Sequence, residues 1–435
     1  MLPTLRQVKF ALTITLILII HYAANSEEQY LISYKNLKTY TTDNMDSLWK
    51  ANRIPSFILP IRYDVDIYEI TYKVKWIDST WRKASGFYFV PKTEKAIPYM
   101  MYGHGTQIEK KMTFSDRDAQ QGICMGFATD GYAALFPHYY GIGEGEGKHL
   151  YQHAWSEAMS FYYMLCAVDE LNKKINVHTN GQLFLTGYSQ GGHASFAAQK
   201  YIEKINDPRF QVTASSPMSG AYDMTGKQED YMFQEYPRPF YLPYLLLSYD
   251  LAYDIIDNND IYSIFKSPYD TLLRPYFEEN DGRTLDELDK IMPKIPKDAV
   301  NDSLVKLYKE DPNFLFRQKL KENSLTDWKP KAPVQLCYCQ GDKEVHYMNA
   351  VVAEQNIQAL GKEDIQAKNL SKYLNHNTCA AFAVLETKYF FDRYVKKGKN
   401  PKLKGLPPFK RFLVGFIKRK TEKEYKRNEH DVARY

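Results

Sequence analysis

A serine flanked by glycines constrains the fold of this 435-residue chain more than any other feature. The pentapeptide G-Y-S-Q-G at positions 187–191 follows a short apolar run and leads into residues 192–198, which have helical character. A serine on such a sharp strand-to-helix turn forms a nucleophile elbow, in which side chains larger than hydrogen at Gly187 and Gly191 would clash. The turn also places the hydroxyl at a helix N-terminus, where backbone N–H groups can bind developing negative charge. The sequence therefore predicts that Ser189 is a nucleophile.

Apolar runs on both sides of this turn predict strands that alternate with helices. Residues 63–76 and 86–90 alternate in polarity as an antiparallel strand pair does. Further strands are predicted at 97–102, 131–136, 181–185, 212–219 and 334–339, and helices at 149–173 and 379–394. This alternation is typical of a mostly parallel sheet with helices on both faces. Together with the elbow it predicts an α/β-hydrolase fold.

The chain divides into a core, an insertion and two terminal segments. About a hundred residues separate two predicted core strands, which is too long for a plain loop, so we expect a helical cap inserted over the site. The predicted parts are a signal peptide (1–26), the first part of the α/β-hydrolase core (27–226), the helical cap (227–331), the second part of the core (332–396) and a basic C-terminal tail (397–435). The first core part begins with a leading arm at 27–60.

The N-terminal segment has the three regions of a secretory signal. Arg6 and Lys9 precede an apolar run at 10–20, which is short for a membrane span. Small residues at 24–26 then offer a cleavage site before Glu27. We expect a secreted or periplasmic protein, with a retained N-terminal membrane anchor as the alternative.

Disulfides are permitted in an exported protein, and the chain has five cysteines. The odd count leaves at least one thiol unpaired within the chain. Cys337 and Cys339 share one face of a predicted strand. We expect these two side chains to pack in the core rather than to bind a metal.

A carboxylate and a histidine follow the serine in the order that this fold requires. Asp342 lies on the turn after the strand at 334–339, where the acid of a catalytic triad belongs, and Glu344 is the rival. His376 lies further on, in a loop before a helix. A serine hydroxyl needs a histidine to take its proton, and the histidine needs a carboxylate to fix its tautomer. We therefore predict Ser189, Asp342 and His376 as the triad.

Two backbone N–H groups are predicted to form the oxyanion hole. One is the N–H of Gln190, the residue after the nucleophile. The second comes from the loop Gly103-His104-Gly105-Thr106, in which Thr106 is the favoured donor and Gly105 the alternative. The glycines let this backbone approach the substrate, and His104 is expected to support the loop.

Metal and cofactor motifs are absent from the sequence. His149 and His153 are four residues apart, but Leu150 stands where the H-E-x-x-H motif has glutamate. We expect no metal, no cofactor and no nucleic-acid partner.

The C-terminal region is strongly basic. Residues 393–427 hold 14 lysines and arginines against two glutamates. The favoured interpretation is a solvated final helix that packs on the body, and weak contact of the tail with an anionic membrane is the alternative.

A series of short motifs along most of the chain resembles one known family. The motifs are Ala84-Ser85-Gly86 leading to Val90-Pro91, Tyr102 to Thr106, Tyr139 to Gly143, Gly187 to Gly192, Asp342, and His376 with Cys379. In these the chain resembles the secretory lipase family of α/β-hydrolases, the group that includes Candida antarctica lipase A, and related bacterial exported esterases. The resemblance implies a serine esterase or lipase whose helical cap controls substrate entry. It also implies that Ser189, Asp342 and His376 form the catalytic triad.

The sequence therefore predicts a secreted serine carboxylic ester hydrolase that acts on a small-molecule ester or lipid. An exported serine peptidase or an acyltransferase on the same fold is the alternative, because the same groups can attack amides or transfer acyl groups. A catalytically inactive binding protein is the non-enzymatic alternative.

Overall fold

The computed structural model describes residues 29–51, 59–256, 260–278, 282–397 and 408–432, so the predicted signal peptide lies outside the described residues. Its centre is one nine-stranded sheet. The strands are β1 (Leu31–Tyr40), β2 (Val65–Lys75), β3 (Trp81–Pro91), β4 (Ile97–Gly103), β5 (Ala133–Pro137), β6 (Thr179–Tyr188), β7 (Gln211–Met218), β8 (Val334–Tyr338) and β9 (Ile365–Asn369).

The sheet is antiparallel at one edge and parallel over the rest. Its order is β1-β2-β3-β5-β4-β6-β7-β8-β9, in which β1, β2, β3 and β5 pair antiparallel and all later neighbours pair parallel. The predicted antiparallel pair and the mostly parallel sheet are confirmed. The carboxyl ends of β4, β6, β7 and β8 lie along one edge, where the predicted site loops begin.

Two edge strands differ from the sequence expectation. The leading arm predicted for residues 27–60 is wrong over Leu31–Tyr40, which forms β1 at the edge of the sheet. The carboxylate of Glu170 accepts hydrogen bonds from the N–H groups of Tyr30 and Leu31, which ties this strand to the helix behind it. At the other edge, β9 is short and polar, so it lacks the apolar signal of a buried strand.

Helices cover both faces of the sheet. The helices are α1 (Thr42–Ala51), α2 (Ala119–Thr129), α3 (Ala154–Ile175), α4 (Gln190–Ile205), α5 (Tyr241–Tyr253), α6 (Tyr269–Leu272), α7 (Arg274–Glu278), α8 (Leu285–Ile291), α9 (Asp302–Glu310), α10 (Leu315–Asn323), α11 (Met348–Ala359), α12 (His376–Lys397) and α13 (Pro408–Val432). Apolar side chains of α3, α4 and α11 form one core with the sheet, and those of α2 and α12 form the other. Helix α12 begins at residue 376, three residues before the predicted start.

The segment between β7 and β8 is helical and has an apolar cluster of its own. It contains α5 to α10 and short 3-10 turns at Glu229–Met232, Ile261–Ile264 and Pro296–Ala299. The cluster is built mainly from tyrosine, phenylalanine and leucine side chains. We call this segment the cap. Among the helices that the structure describes, none combines the length and apolar character needed to cross a membrane.

Candidate active site

Ser189 lies on a sharp turn between β6 and α4. Its backbone has φ 60° and ψ −121°, a conformation that residues other than glycine rarely adopt. The Ser189 N–H donates to the carbonyl of Met218 at the end of the neighbouring strand, at 3.0 Å. The strained turn is thus held between two parallel strands, and it presents the hydroxyl at the start of a helix.

Close backbone contacts around the turn leave no room for side chains. A Cβ at Gly191 would lie 1.8 Å from the carbonyl oxygen of Gly103, and a Cβ at Gly187 would lie 2.2 Å from the carbonyl oxygen of Gly191. These distances are far inside van der Waals contact. The glycines therefore let the elbow and the loop after β4 pack backbone against backbone.

Asp342 and His376 form a buried hydrogen-bonded pair. The Nδ1 of His376 lies 2.7 Å from Oδ2 of Asp342. The other carboxylate oxygen accepts from the N–H groups of Glu344 and Val345, at 2.9 and 3.0 Å. Because the carboxylate accepts from Nδ1–H, the ring's Nε2 remains as a proton acceptor.

Two opposing effects act on the pKa of His376. Burial of the ring lowers the pKa, but the negative charge of Asp342 and its hydrogen bond together outweigh burial, so the pKa is raised above the ordinary 6.5. Such a histidine is a base whose proton affinity is set largely by one carboxylate.

Tyr188 holds His376 beside the elbow. Its hydroxyl donates to the carbonyl of His376 at 2.5 Å, and the two ring centroids are 4.9 Å apart. No hydrogen bond joins Ser189 Oγ to His376 in the described part of the chain. Catalytic hydrogen bonds are often open in the absence of substrate and close when it binds.

Among the described residues, the N–H groups of Gln190 and Thr106, the two predicted oxyanion donors, have no hydrogen-bond acceptor. The N–H of Gly105, the alternative donor, is already bonded to the side chain of Gln120 at 2.7 Å. A Cβ on Gly105 would lie 3.8 Å from that of Ser189, so this loop borders the nucleophile. The geometry thus favours Thr106 over Gly105 as the second donor.

His104 is buried and braces the same loop. Its Nδ1 lies 2.7 Å from the carbonyl oxygen of Gly105, and its ring lies against that of Tyr139 with centroids 4.2 Å apart. Burial lowers its pKa, which favours the neutral ring. The contacts of His104 are those of a loop support.

A buried glutamate behind the elbow was not predicted from the sequence. The Oε1 of Glu157 accepts from the side-chain amide of Gln190 at 2.9 Å, and its Oε2 lies 2.6 Å from Nδ1 of His193. The Nε2 of His193 donates to the carbonyl of Asn323 at 2.9 Å. Because that carbonyl can only accept, Nε2 of His193 is the donor in this contact, and Glu157 connects Gln190 of the elbow to His193. The sequence signal that could have indicated this buried glutamate is an acidic residue in an otherwise apolar stretch of α3.

His149 and His153 both form hydrogen bonds with neighbouring groups of the fold. The Nε2 of His149 accepts from the amide of Gln190 at 2.7 Å, and burial lowers the pKa of His149 to about 3. His153 caps the N-terminus of α3 through the N–H of Ser156. Within the residues described, no three side chains of His, Cys, Asp or Glu meet as metal ligands would.

Glu344, the rival carboxylate, faces the cap. It lies 3.3 Å from Nε of Arg238, and its carbonyl accepts from the hydroxyl of Tyr236 at 2.7 Å. Arg238 also pairs with Asp289 at 3.0 Å. Glu344 therefore fastens the cap to the loop that carries Asp342.

A tyrosine-lined cavity of about 70 Å³ lies between the cap and the segments that precede α3 and follow β7. Tyr151, on its wall, has its hydroxyl 3.4 Å from Oγ1 of Thr106, which connects the cavity to the predicted oxyanion loop. The other lining residues are Gln152, Ala221, Met224, Gln228, Tyr231, Met232, Tyr236, Tyr241, Leu242, Leu245 and Pro296.

A disulfide joins the turn that carries the acid to the helix that carries the histidine. Cys339 and Cys379 are bonded across 40 residues, three residues from Asp342 and from His376 respectively. Cys124, Cys166 and Cys337 are buried free thiols. The bond therefore limits how far the carboxylate and the imidazole can separate.

Removing this disulfide should destabilise the protein and lower its turnover. For the variant Cys339→Ser/Cys379→Ser we expect the free energy of unfolding to fall by about 4 kcal/mol, because the unfolded chain regains the entropy of an open 40-residue loop. Urea unfolding with and without dithiothreitol measures the change. Reductant should bring the wild type to the stability of the double variant and leave the double variant unchanged. A fully reduced wild type of unaltered stability would contradict the expectation.

The fold and site can be compared with those of known proteins. No protein-family model matches the chain, and no curated protein sequence does. Among solved structures, the chain is similar to a proposed hydrolase from Legionella pneumophila, with 26% identity, a TM-score of 0.77, and coverage of 85% of this chain and 99% of that one. The rice cell wall degrading esterase LipA from Xanthomonas oryzae matches with 24% identity and a TM-score of 0.69, over 82% of this chain and 95% of that one.

Candida antarctica lipase A in its closed state also matches, with 16% identity and a TM-score of 0.63, over 86% of this chain and 83% of that one. These likenesses agree with the overall fold described above. The chain has the α/β-hydrolase fold, with a mostly parallel sheet, helices on both faces and an inserted helical cap.

Proposed function

We propose that this protein is a serine carboxylic ester hydrolase. Ser189 attacks the ester carbonyl while Nε2 of His376 takes the hydroxyl proton, and Asp342 orients the ring and stabilises the imidazolium. His376 then protonates the departing alcohol, which leaves an acyl group on Ser189. A water molecule, deprotonated by the same histidine, releases the acid. The observation that carries the proposal is the Asp342–His376 pair, whose histidine contacts Tyr188, the residue before Ser189 in the strained elbow.

The tetrahedral oxyanion would be bound by the N–H groups of Gln190 and Thr106, which are free to donate within the described residues. The likeness to a proposed hydrolase, an esterase and a lipase supports ester hydrolysis over the peptidase, acyltransferase and binding-protein alternatives.

The tyrosine-lined cavity under the cap supports an apolar substrate. Four of its lining residues are tyrosines, and the others are mostly apolar. Tyrosine offers an apolar ring face with a polar tip, which suits hydrophobic acyl groups or aromatic esters. We infer that the acyl part of a small ester or lipid binds here, under the cap.

We also propose that the protein is exported, with membrane anchoring through an uncleaved N-terminal segment as the alternative. The sequence of residues 1–26 supports this, as does the disulfide, since such bonds persist mainly in oxidising compartments.

A series of p-nitrophenyl esters from short to long acyl chains tests the proposal. We expect hydrolysis of the esters and little hydrolysis of a matched p-nitroanilide, because the anilide must be cleaved at an amide bond. The optimal chain length then separates esterase from lipase. Faster anilide than ester cleavage would favour the peptidase, and product esters formed with added alcohol would favour the acyltransferase. A folded protein without turnover of any ester would support the binding-protein alternative.

A further inference from the structure

The outward face of helix α13 carries a stripe of large apolar side chains. Phe409, Phe412 and Phe416 are 71%, 62% and 59% exposed, and Ile417 beside them is 42% exposed. The phenylalanines are spaced by three and four residues, so they lie on one side of the helix. Contiguous exposed aromatic surface of this kind marks an interaction site more often than a solvated face.

The opposite face of the same helix is attached to the body. The carboxylate of Glu422 accepts from the hydroxyl of Ser371 at 2.5 Å, and the hydroxyl of Tyr425 lies 2.8 Å from that of Thr378. Phe416 precedes Tyr425 by nine residues, which places them about 180° apart around an α-helix. These contacts hold the helix so that the phenylalanine stripe faces away from the protein.

Positive charge continues the stripe. Lys420 and Lys423 follow Phe416 by four and seven residues, so they lie on its face, and both are exposed, as is Arg419. The segment 408–426 holds seven lysines and arginines against two glutamates, a net charge of +5. The outward face is therefore aromatic in its first half and basic in its second.

The chemistry of this face selects one occupant. A second copy of the chain would bring two positive faces together, and a nucleic acid would leave the phenylalanines in water. The chain's own apolar run at 10–20 would cover the phenylalanines but leave the lysines unpaired. An anionic lipid bilayer complements both halves, since rings bury at the boundary of headgroups and acyl chains while lysines and arginines contact phosphates.

We propose that residues 408–423 are a docking surface for an anionic lipid bilayer, with the helix lying in the plane of the interface. Phe409, Phe412 and Phe416 enter the headgroup region, and Arg419, Lys420 and Lys423 bind lipid phosphates. Binding is measured without turnover, so this proposal stands or falls independently of the proposed ester hydrolysis.

Co-sedimentation of the full chain with vesicles tests the proposal. The vesicles are phosphatidylcholine alone or phosphatidylcholine mixed with phosphatidylglycerol. We expect the variant Phe409→Ser/Phe412→Ser/Phe416→Ser to bind the mixed vesicles at least about tenfold more weakly than the wild type. The variant Lys420→Glu/Lys423→Glu should lose the preference for phosphatidylglycerol, and wild-type binding should weaken as salt is added.

A matched variant controls for the general loss of exposed apolar surface. Ile205→Ser/Leu307→Ser/Leu360→Ser removes three apolar side chains elsewhere on the surface that are 37%, 40% and 44% exposed, and it should bind as the wild type does. The proposal is overturned if the triple phenylalanine variant binds like the wild type, since another segment then holds the membrane. It is also overturned if the wild type is a dimer that this variant converts to a monomer while neither binds vesicles.

Discussion

Ser189→Ala should reduce kcat for p-nitrophenyl ester hydrolysis by about a million-fold. The variant loses the atom that forms the acyl-enzyme, while the oxyanion donors and the tyrosine-lined cavity remain. Binding of substrate should change little, so the loss appears in kcat rather than in KM. Discontinuous assays at high enzyme concentration measure the residual activity.

Ser195→Ala is the matched control for this variant. Ser195 is a buried serine six residues further along α4, and its hydroxyl donates to the carbonyl of Gly192 at 3.1 Å. Its loss should leave kcat close to that of the wild type. An organophosphonate ester should label both the wild type and Ser195→Ala at Ser189. Mass spectrometry of the digested peptides would locate the label. Ester hydrolysis that survives in Ser189→Ala would refute the nucleophile assignment.

Asp342→Asn should reduce kcat by about ten-thousand-fold and move the pH profile. An amide in place of the carboxylate no longer fixes the His376 ring with Nε2 as acceptor. In the wild type, activity requires neutral His376, so kcat/KM should fall as pH drops through a pKa that lies above 6.5. Without the charge of Asp342, burial of the ring is the largest remaining effect on the pKa of His376, so the acid limb should move to lower pH.

The same pKa shift has a consequence for stability. Because the folded-state pKa of His376 is raised above its ordinary value, protonation of the ring stabilises the fold at low pH. This contribution is complete below about pH 6.5 and is lost as pH rises through the folded-state pKa. Asp342→Asn should remove it, which a comparison of urea unfolding at pH 5.5 and 8 would detect.

Glu344→Gln is the control for the acid. Glu344 lies two residues from Asp342 but pairs with Arg238 of the cap. Its loss should leave kcat within about tenfold of the wild type and shift the acid limb only slightly, since its charge acts on His376 from further away than that of Asp342. A larger loss in Glu344→Gln than in Asp342→Asn would reverse the assignment of the orienting carboxylate.

The local sequence determined those features that depend on short-range geometry. The glycine spacing at 187–191 predicts a tight turn, because steric exclusion acts between atoms a few residues apart, and the structure has Ser189 at φ 60° there. The apolar runs predict the central strands, since strands buried on both faces are continuously apolar. The order of Ser189, Asp342 and His376 also follows from the chain alone.

Tertiary structure alone decided features that depend on which distant segments meet. Edge strands β1 and β9 are half exposed and polar, so their periodicity resembles that of loops, and only pairing with the sheet defines them. β5 lies between β3 and β4, an order that no local pattern encodes.

The same limit applies to the site. The sequence left Asp342 and Glu344 as candidates for the acid of the triad. Folding brings Asp342 into contact with the imidazole of His376, 34 residues further along the chain. Glu157 meets His193 across 36 residues, and Cys339 meets Cys379 across 40. Periodicity and spacing report how buried a residue is and which local turn it can form. The identity of a buried partner depends instead on how the whole sheet and its helices pack, and that is a property of the folded chain.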